Sequence, residues 1–539
     1  MNKIVVKIKL ICLACLILTS CNDLDQHPIH QFTDGNFWET EARALIVLSQ
    51  AYNQMYGAGV MFDNEGRTDN LYDQTPSTYL QGTADVSLNT FADEWRDCYQ
   101  GIRTCNILLD NIDYVPMDPD RKERMKAEAR FIRAFLYFRL ATWFNHVPHS
   151  EGMITLSEAR TMGRKPYADV MAWVRSELNA VAEILPTKQE YSAADNGRIT
   201  KGAAMGMLAR TYLWDNDWQN TDWRSIANIT ERIMNGEFGT YDLFPSYEGL
   251  FRQANEYNQE IMMCVGYVPI DRTWNQLWDG IPQSQLGRHN NKAPTQELVD
   301  SYVMLNGLPI TDPNSGYQAA SPYANRDPRF RLTVVHHGYE WIRPDGSVEI
   351  INIDPASVPE GQEPGPDIYQ AGAGSSPQTG YYLRKWWCPD AQQDGQASGL
   401  NIIMLRYADI LLMHAEAKNE LDEMNEAVWD ETVRKVRERA GFTYNDALDW
   451  RTLSKTALRD IIRGERRSEF AIEGTRVFDL RRWRLAEIVM NGRPTAAPYA
   501  NPALTLRSFN PARDYFWPVP QSQIDINPNL LPNNQGWGN

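Results

Sequence analysis

One long helical segment, residues 122–144, constrains the fold of this chain more than any other feature. It reads KERMKAEARFIRAFLYFRLATWF, and its apolar residues fall on two faces. Phe131, Phe135 and Phe138 share one face at helical spacing, whereas Ile132 lies on the other. A helix that is apolar on two sides must pack between two neighbours. The segment therefore predicts a layered, mainly α-helical architecture.

Two further blocks, residues 200–235 and 405–440, have the same character. In the first block Thr200 is placed to cap a helix, and residues 215–217 separate this helix from a second one. Any amphipathic helical hairpin would match one such pattern, but three blocks in one chain predict tetratricopeptide-like helical pairs that form a scaffold. The segment that matches the first helix of a tetratricopeptide repeat is Met205-x2-Leu208-Ala209-x2-Tyr212, with alanine in place of glycine.

Two long stretches lack this periodicity. Residues 57–90 are rich in Gly, Asp, Asn, Thr and Tyr, and residues 265–400 combine Pro, Gly and Trp with short strand-like pieces. Loops of this length are usually functional or disordered, and their Trp and Tyr content argues against disorder. We expect a helical scaffold at about 36–260 and 401–490 that carries a large loop-rich, aromatic-rich insertion at about 265–400. A C-terminal tail, 491–539, follows.

The N-terminus has the pattern of a lipoprotein signal. Three lysines precede a nine-residue apolar run, residues 10–18, which is too short to span a bilayer. The sequence Leu18-Thr19-Ser20-Cys21 then resembles a bacterial lipobox, in which the cysteine is lipidated and becomes the first mature residue. We expect residues 1–20 to be a signal peptide, residues 21–539 to form a single domain, and the lipid on Cys21 to provide the membrane attachment. The alternative is a cleaved signal with a coincidental cysteine.

Composition and motif content exclude several classes of function. Lys and Arg number 53 against 69 Asp and Glu, and a net charge of −16 lacks the basic footprint that nucleic-acid binding needs. The sequence holds no HExxH, GxxxxGKS, GxxxxGKT, GxSxG or GxGxxG motif, so it predicts no catalytic residue, no metal site and no cofactor. Spacing alone does not exclude a carboxylate pair for glycoside hydrolysis. Four cysteines are expected to be core residues: Cys98, Cys105, Cys264 and Cys388.

Aromatic residues in the insertion are the strongest candidates for a ligand site. A sugar ring has an apolar face that Trp or Tyr covers, and hydroxyl groups that Asp, Asn, Gln and Arg satisfy. Trp274 and Trp278 lie four residues apart with Asn275 and Gln276 between them, and they are predicted to form a stacking platform. The alternative is a helical aromatic pair packed in the core. Further glycan-binding candidates are Trp341, Tyr369, Trp386 and Trp387, with one ring of the adjacent pair expected to face solvent.

Motifs spread over nearly the whole mature chain point to one family. The most specific is Ile462-x2-Glu465-Arg466-x2-Glu469-Phe470-x2-Glu473-Gly474-x-Arg476-x2-Asp479-Leu480-Arg481-Arg482-Trp483, and the tail Trp517-Pro518-Val519-Pro520 completes the set. With these motifs the chain resembles the SusD/RagB family of outer-membrane nutrient-binding lipoproteins, homologues of the Bacteroidetes starch-binding protein. It departs from the family at Asn145-His146, where Gly-Asp is common, but Asn tolerates the same positive φ. Other matching segments are 128–138, 197–204, 294–300, 325–330, 405–412 and 436–441.

The resemblance implies a non-catalytic function at the cell surface. A member of this family binds oligosaccharide or polysaccharide and delivers it to a SusC-like TonB-dependent transporter. The resemblance also implies a lipid-anchored outer-membrane location facing the exterior, and the acidic residues after Cys21 resemble a surface-export signal. Glycan-binding members place part of their site in the first loop, which adds four candidates: Asp69, Asn70, Tyr72 and Tyr79.

Several functions stay open at the level of sequence. A peptide-binding member of the family would have a charged cleft and fewer exposed Trp pairs, and a surface glycosidase would release products from polysaccharide. A structural helical-repeat adaptor would bind no small ligand and would bury Trp274 and Trp278. A structural calcium ion is also left open by residues 63–66 with Asp69, although the spacing of an EF-hand is absent.

The charged motif at residues 462–483 has a structural interpretation of its own. Its acidic and basic residues alternate in sign at helical spacing. Such a pattern predicts an ion-pair network that ties one helix to its neighbours rather than a catalytic site. The residues concerned are Glu465, Arg466, Glu469, Arg476 and Asp479.

Overall fold

The structure is a computed structural model that describes residues 37–290, 292–391 and 395–538. The predicted signal peptide, 1–20, and the lipidation site Cys21 lie outside these residues. The described part is dominated by α-helices, which confirms the expected mainly α fold. The helices are α1 Glu41–Met55, α2 Ala58–Gly66, α3 Asn89–Asn111, α4 Pro119–Phe144, α5 Leu156–Ala159, α6 Tyr167–Ile184, α7 Lys201–Leu213, α8 Trp223–Met234, α9 Gln296–Ser301, α10 Pro328–Thr333, α11 Tyr407–Glu420, α12 Glu426–Trp429, α13 Lys435–Ala440, α14 Asn445–Leu448, α15 Lys455–Phe470, α16 Arg476–Arg482, α17 Ala486–Val489 and α18 Gln521–Ile524.

The long helices pack in a row in which each contacts the next. Helix α1 packs on α3, α3 on α4, α4 on α6, α6 on α7 and α7 on α8. The row continues across the insertion, because α8 packs on α11 and α11 on α15. Packing between sequential neighbours is typical of stacked helical pairs, and it confirms the tetratricopeptide-like scaffold.

Helix α4 shows how the two-sided apolar pattern is used. Asp118 caps the helix by accepting a hydrogen bond from the N–H of Arg121 at 2.9 Å. Phe131 and Phe135 on one face and Ile132 on the other are all at most 5% exposed. Because α4 contacts both α3 and α6, it is covered from two sides, as the sequence predicted.

Short antiparallel strand pairs frame the insertion. Strand β2, Ile261–Val265, pairs with β8, Ile402–Arg406, and Val265 lies opposite Ile402. The insertion therefore leaves the scaffold and returns to it at the same point. The other pairs are β1 Leu71–Tyr72 with β3 Ala293–Pro294, β4 Val334–Val335 with β7 Tyr382–Leu383, and β5 Tyr339–Ile342 with β6 Val348–Ile351.

Much of the insertion is packed into the main core. Most of its buried apolar side chains belong to the same large hydrophobic cluster as those of the scaffold. Trp278, Trp341 and Trp386 are 0 to 1% exposed. The expected irregular backbone is present, but many of its aromatic side chains point inward. The cysteines expected in the core are buried free thiols: Cys98, Cys105, Cys264 and Cys388.

The first loop, residues 57–90, contains helix α2, which the sequence pattern did not reveal. This helix has only nine residues, and its buried positions include Asn64 and Glu65 beside Met61 and Phe62. Burial of polar residues removes the apolar periodicity by which a helix is recognised. The first residues of this helix lie at the candidate site described below.

Buried charged side chains join the scaffold to the insertion. Arg406, the last residue of β8, donates hydrogen bonds of 2.5 to 2.9 Å to Glu260, Glu469 and Glu473. Burial opposes the ionisation of Glu469, but three neighbouring arginines outweigh it and lower its pKa below the ordinary carboxyl range. The predicted ion-pair network is therefore confirmed. We term its central part the Arg406 cluster, whose side chains are at most 5% exposed: Glu260, Arg329, Lys385, Arg406, Arg439, Glu465, Glu469 and Glu473.

Candidate functional site

A short hairpin at the start of the insertion positions the candidate site. Val268 and Arg272 exchange two backbone hydrogen bonds of 2.9 Å, and Ile270 at the tip has a φ of 74° and is 73% exposed. A positive φ in a β-branched residue is strained, and such strain concentrates at functional sites. The N–H of Tyr267 donates to the side-chain oxygen of Asn401 at 2.7 Å, which anchors the hairpin beside β8.

Tyr267 connects this hairpin to the start of α2. Its hydroxyl accepts a hydrogen bond of 3.0 Å from the N–H of Ala58, the first residue of a helix that has no side-chain cap of its own. Glycine at position 57 leaves room for this approach, because a Cβ there would lie 3.2 Å from the Tyr267 oxygen and require a small shift. On the ring of Tyr267 lies the guanidinium of Arg272, 4.8 Å from the centroid, which also donates to the carbonyl of Gly266.

Trp274 brings the two ends of the insertion together. It exchanges backbone hydrogen bonds of 2.9 and 2.8 Å with Ser398, and its indole N–H donates to the carbonyl of Leu400 at 2.7 Å. The ring packs against Phe62 of α2 and is 5% exposed. These contacts place Gln396 beside residues 273–276, although it lies far away along the chain.

The residues that flank the hairpin, the start of α2 and the segment around Gln396 line an open cleft of about 250 Å³. Thr273 and Asn275 are exposed, and their side chains make no hydrogen bond with the described part of the chain. Gln276 accepts the N–H of Asn275 through its Oε1 at 3.2 Å, and Gln396 donates through its Nε2 to the carbonyl of Leu286 at 2.8 Å. We term this site the amide cleft; its lining combines the start of α2 with Tyr267, Thr273, Trp274, Asn275, Gln276 and Gln396.

The predicted stacking platform is only partly at this cleft. Trp274 and Asn275 line it, whereas Trp278 is 0% exposed and packs edge-on against Trp274, with 6.5 Å between ring centroids. The prediction of two exposed rings is therefore wrong. The reason is local, because the chain turns into a 3-10 helix at Gln276–Asp279 that directs Leu277 and Trp278 into the core.

Asp69 and Asn70 are buried and bonded to other residues of the fold. The carboxylate of Asp69 pairs with Arg476 at 2.9 and 3.0 Å and with Arg467 at 3.0 Å. Burial opposes its ionisation, but the two arginines outweigh the burial and lower its pKa below the ordinary range. The Asn70 amide donates to Glu65 at 2.6 Å. Both candidates are at most 3% exposed, because the arginines of the charged motif require buried counter-charges.

The tyrosines of the first loop also have internal partners. The hydroxyl of Tyr72 donates to Thr505 at 3.3 Å, and the hydroxyl of Tyr79 donates to the carbonyl of Asp514 at 3.2 Å. The ring of Tyr79 packs against Trp517 of the C-terminal tail. At 4% and 8% exposure, both side chains are buried, because the tail covers the first loop.

The remaining aromatic candidates are distributed between core and surface. Trp386 and Trp387 lie in a turn, with a φ of 72° at Trp386, so that both rings point inward at 1% and 8% exposure. The indole of Trp386 donates to the carbonyl of Ile472 at 2.6 Å. Trp341 is 0% exposed and packs on Trp387. Tyr369 is half-exposed but is not part of the amide cleft.

Sequence reasoning did not select four residues of the cleft as ligand contacts. Gln276 lies between two selected tryptophans, so its segment was identified but its side chain was not. Tyr267 and Thr273 gave no pattern beyond their place near the end of a strand. Gln396 gave no local signal, because only the pairing of Trp274 with Ser398 brings it to the site.

The side chains considered for a calcium ion, at residues 63–66 and Asp69, have other partners in the structure. Among the described residues, no group of three or more His, Cys, Asp or Glu side chains is placed to hold a metal ion. Within the segment 63–66, Glu65 accepts the N–H groups of Ile472 and Gly474 at 3.0 and 2.9 Å. Burial raises the pKa of this carboxyl in spite of those bonds. Its oxygens are thus used inside the fold.

Family models match both halves of the chain. The model of the SusD family matches residues 252–537, and a model described as starch-binding associating with outer membrane matches residues 28–213. A SusD-like protein of Formosa agariphila is 26% identical over 97% of this chain and 98% of its own length. A SusD-like protein of Bacteroides ovatus is 24% identical over 89% of this chain and 83% of its own length.

Within the described residues, no helix is both long and apolar enough to cross a bilayer.

Solved structures share the fold. A SusD-like carbohydrate binding protein of Bacteroides fragilis has a TM-score of 0.80 at 27% identity, covering 92% of this chain and 100% of the other. A second SusD-like protein of that species has a TM-score of 0.78 at 24% identity, covering 95% and 100%. Because the family model alone spans more than half of the sequence and similar proteins match it almost end to end, this chain belongs to the SusD family.

Proposed function

We propose that the protein binds an oligosaccharide in the amide cleft at the cell surface and delivers it, unaltered, to a TonB-dependent transporter of the outer membrane. The observation that carries the proposal is the open cleft of about 250 Å³, in which the unbonded side chains of Thr273 and Asn275 stand beside Trp274. Hydroxyl and amide groups complement the hydroxyls of a sugar. Ligand sites commonly combine a few convergent polar groups with an aromatic wall.

Relatives support the choice of ligand class. The solved protein that is 27% identical to this chain is a SusD-like carbohydrate binding protein. The model that matches the N-terminal half is described as starch-binding and associating with outer membrane. Delivery requires that binding be reversible, and an open cleft built from neutral hydrogen-bonding groups suits moderate affinity and rapid release.

A binding role fits the chemistry of the cleft better than hydrolysis does. Glycosidases place two carboxylates on either side of the scissile bond, about 5 to 10 Å apart. The described lining of the amide cleft contains neutral side chains only. Most carboxylates that burial and charge perturb strongly, such as Glu469 and Asp69, are paired with arginines in the interior.

An adaptor role and a peptide ligand each find one observation in favour and one against. Burial of Trp274 and Trp278 is what a helical-repeat adaptor predicts, and the loss of an exposed Trp pair removes one argument against a peptide ligand. Against the adaptor stands an open cleft with unbonded polar groups. Against a peptide stands the neutral lining, because a peptide-binding member was expected to have a charged cleft.

Titration calorimetry tests the ligand class. The protein from Asn22 onward, which retains every described residue, is titrated with plant, host and microbial glycans and with mixed peptides. We expect saturable heat with glycans and no new reducing ends after long incubation. Release of reducing ends would instead indicate a glycosidase, and heat with peptides only would indicate a peptide-binding member. Silence with the whole panel would favour the adaptor.

Delivery is tested separately. The lipidated protein, carrying an affinity tag, is isolated from outer membranes of its native host in mild detergent. We expect a TonB-dependent barrel to co-purify in a stoichiometric complex. If the protein is recovered alone, delivery to a transporter is contradicted, whereas sugar binding stands on the calorimetry.

A further inference from the structure

The amide cleft also carries information about the kind of sugar it accepts. We infer that the cleft selects uncharged, hydroxyl-rich sugar units over uronic acids and sulfated sugars, a selection that rests on the proposed function. The basis is the set of donors and acceptors that the protein leaves free, together with the state of the neighbouring cations.

Hydrogen bonds within the protein engage one polar atom of each glutamine. The Oε1 of Gln276 accepts the N–H of Asn275, and its Nε2, which has no partner among the described residues, remains a donor. The Nε2 of Gln396 donates one of its two N–H groups to the carbonyl of Leu286, and its Oε1 remains an acceptor. The side chain of Asn275, which has no partner among the described residues, offers one group of each kind.

A hydroxyl group satisfies such a mixed lining, but an anionic group does not. Each sugar hydroxyl donates one hydrogen bond and accepts others, so it matches Gln276 and Gln396 alike. A carboxylate or sulfate only accepts hydrogen bonds, so it cannot satisfy the Gln396 oxygen, which needs a donor. An acceptor left facing another acceptor in a partly desolvated site loses its hydrogen bond to water without replacement.

The nearby cations are already engaged. Arg288 pairs with Asp279 at 3.0 Å, and the ammonium of Lys292 lies between two carboxylates at 3.3 and 3.5 Å. Arg272 has no carboxylate partner among the described residues, but it lies on the ring of Tyr267 and donates to a backbone carbonyl. Tyr267 lines the cleft, whereas Arg272 does not. No described cation in the lining is therefore available as the counter-charge of an acidic sugar.

The charge of the whole chain acts in the same direction. A net charge of −16 creates a field that opposes the approach of a polyanion, and added salt screens this field. A neutral sugar experiences neither effect. Salt dependence of binding therefore separates the two classes of ligand without knowledge of the sugar's identity.

A glycan array followed by calorimetry tests this inference. The array holds neutral glucans, mannans, xylans and galactans beside polyuronates and sulfated galactans, and the protein from Asn22 onward is the probe. We expect hits among the neutral members only. For such a hit the dissociation constant should change less than about twofold between 50 and 500 mM NaCl, because no ion pair forms.

Two isosteric variants place an anionic acceptor where the cleft offers a donor. Gln276→Glu keeps the oxygen that accepts the N–H of Asn275, and Asn275→Asp alters an exposed side chain, so both should fold. Each should weaken binding of the neutral hit about tenfold or more, in line with the loss of one hydrogen bond and the burial of a charge. Gln362→Glu, at an exposed loop position outside the cleft, is the matched control and should leave affinity unchanged.

The outcomes separate this inference from the proposal on which it rests. Hits among acidic glycans, with affinity that falls as salt rises and is lost in Arg272→Gln, would overturn the selection of neutral sugars and leave oligosaccharide binding in place. A neutral hit that both isosteric variants bind like the parent would overturn the assignment of the ligand to this cleft. No hit in either class would overturn both statements.

Discussion

The Arg406 cluster and the amide cleft lie at opposite extremes of polarity within one protein. In the cluster, acidic and basic side chains are at most 5% exposed and each is paired with a partner of opposite sign. In the cleft, side chains that carry no charge, such as Thr273 and Asn275, are exposed and unbonded. The cluster thus holds paired charges in the interior, whereas the cleft presents neutral polar groups to solvent.

This contrast explains why the most recognisable motif and the candidate site do not coincide. A buried charge without a partner costs several kcal/mol, so residues of the cluster tolerate little change. That constraint gives the segment 462–483 its recognisable pattern. The cleft needs only hydrogen-bonding groups in the right place, and many residue types meet that requirement. In this chain the most recognisable sequence motif, residues 462–483, therefore indicates the fold and not the ligand.

Breaking the cluster should have the largest effect. Arg406→Met removes the guanidinium that bonds to Glu260, Glu469 and Glu473, and it leaves three buried carboxylates short of positive charge. We expect a loss of about 3–5 kcal/mol in the free energy of unfolding, measured by urea denaturation.

The matched control for this variant is Arg232→Met. Arg232 also pairs with a carboxylate, that of Glu237, but both side chains are 49% exposed. Its loss should be a small fraction of that at Arg406, because solvent screens exposed pairs. Equal losses at the two positions would contradict the structural role assigned to the cluster. If Arg406→Met yields no soluble protein while the control does, the expected order still holds.

Trp278→Ala should have the next largest effect, and it tests the corrected assignment of the aromatic pair. The ring is 0% exposed and packs against Trp274, so its removal leaves a cavity. We expect a loss of about 3 kcal/mol, at the lower end for such a change, because the indole N–H has no hydrogen-bond partner to lose among the described residues. Thermal denaturation followed by circular dichroism measures the change.

The control for this variant is Trp223→Ala, at a half-exposed position at the start of α8, which should destabilise the protein less. Weakened sugar binding at unchanged stability in Trp278→Ala would show that the ring serves as an exposed platform after all.

The scaffold could be predicted from sequence because its signals are local. The two apolar faces of residues 122–144 and the capping position Thr200 report directly on helices α4 and α7, and Thr200 does accept the N–H of Ala203 at 3.1 Å. The alternating charges of 462–483 similarly predicted buried ion pairs. Each of these features depends on residues a few positions apart, which is the range over which sequence periodicity is informative.

The site could be predicted only in part because its geometry is not local. Composition selected the segment that contains Trp274 and Asn275, but it did not distinguish Trp274 at the cleft from Trp278 in the core. That difference depends on a 3-10 turn at Gln276–Asp279. Gln396 joins the site through a backbone pairing with a distant segment, and Asp69 is buried because arginines from the C-terminal motif surround it. Such contacts become visible only in three dimensions.

Asn275→Ala should alter binding and leave stability almost unchanged. The side chain is exposed and has no bond within the described chain, so its removal should change the free energy of unfolding by less than about 0.5 kcal/mol. The loss of one or two hydrogen bonds to the ligand should weaken binding about fivefold to tenfold. Calorimetry with a glycan hit measures the affinity, and thermal denaturation measures the stability.

Asn53→Ala is the control, since Asn53 is likewise exposed but lies on α1, outside the cleft. It should change neither quantity. Unaltered affinity in Asn275→Ala would indicate that the ligand lies elsewhere, whereas a large fall in stability would show that the amide has a structural partner.

Glu256 is intermediate in burial between the Arg406 cluster and the exposed side chains of the amide cleft. It is half-buried and forms no ion pair with the described residues, but it accepts the N–H of Asn401 at 2.7 Å. The side chain of Asn401 in turn accepts the N–H of Tyr267 in the cleft wall. Burial raises the pKa of Glu256 from 4.5 to about 7, and the hydrogen bond from Asn401 opposes that rise only in part.

Replacing Glu256 should therefore have the smallest effect, and one that depends on pH. The pKa of Glu256 is higher in the folded protein than in the unfolded chain. The carboxyl therefore stabilises the folded state below about pH 4.5, and this contribution to the free energy of unfolding is lost as pH rises through about 7. The Glu256→Gln side chain would stay neutral at every pH and keep an acceptor for Asn401, so this variant should gain stability over the parent at pH 8 but little at pH 5. Because the group is partly exposed, the gain should stay below about 1 kcal/mol.

Urea denaturation at both pH values measures this gain, with Glu360→Gln at an exposed loop position as the control. A gain of the same size at both pH values would show that ionisation of Glu256 does not lower the stability. Its assignment as a half-buried charge without an ion-pair partner, in contrast to the Arg406 cluster, would then be contradicted.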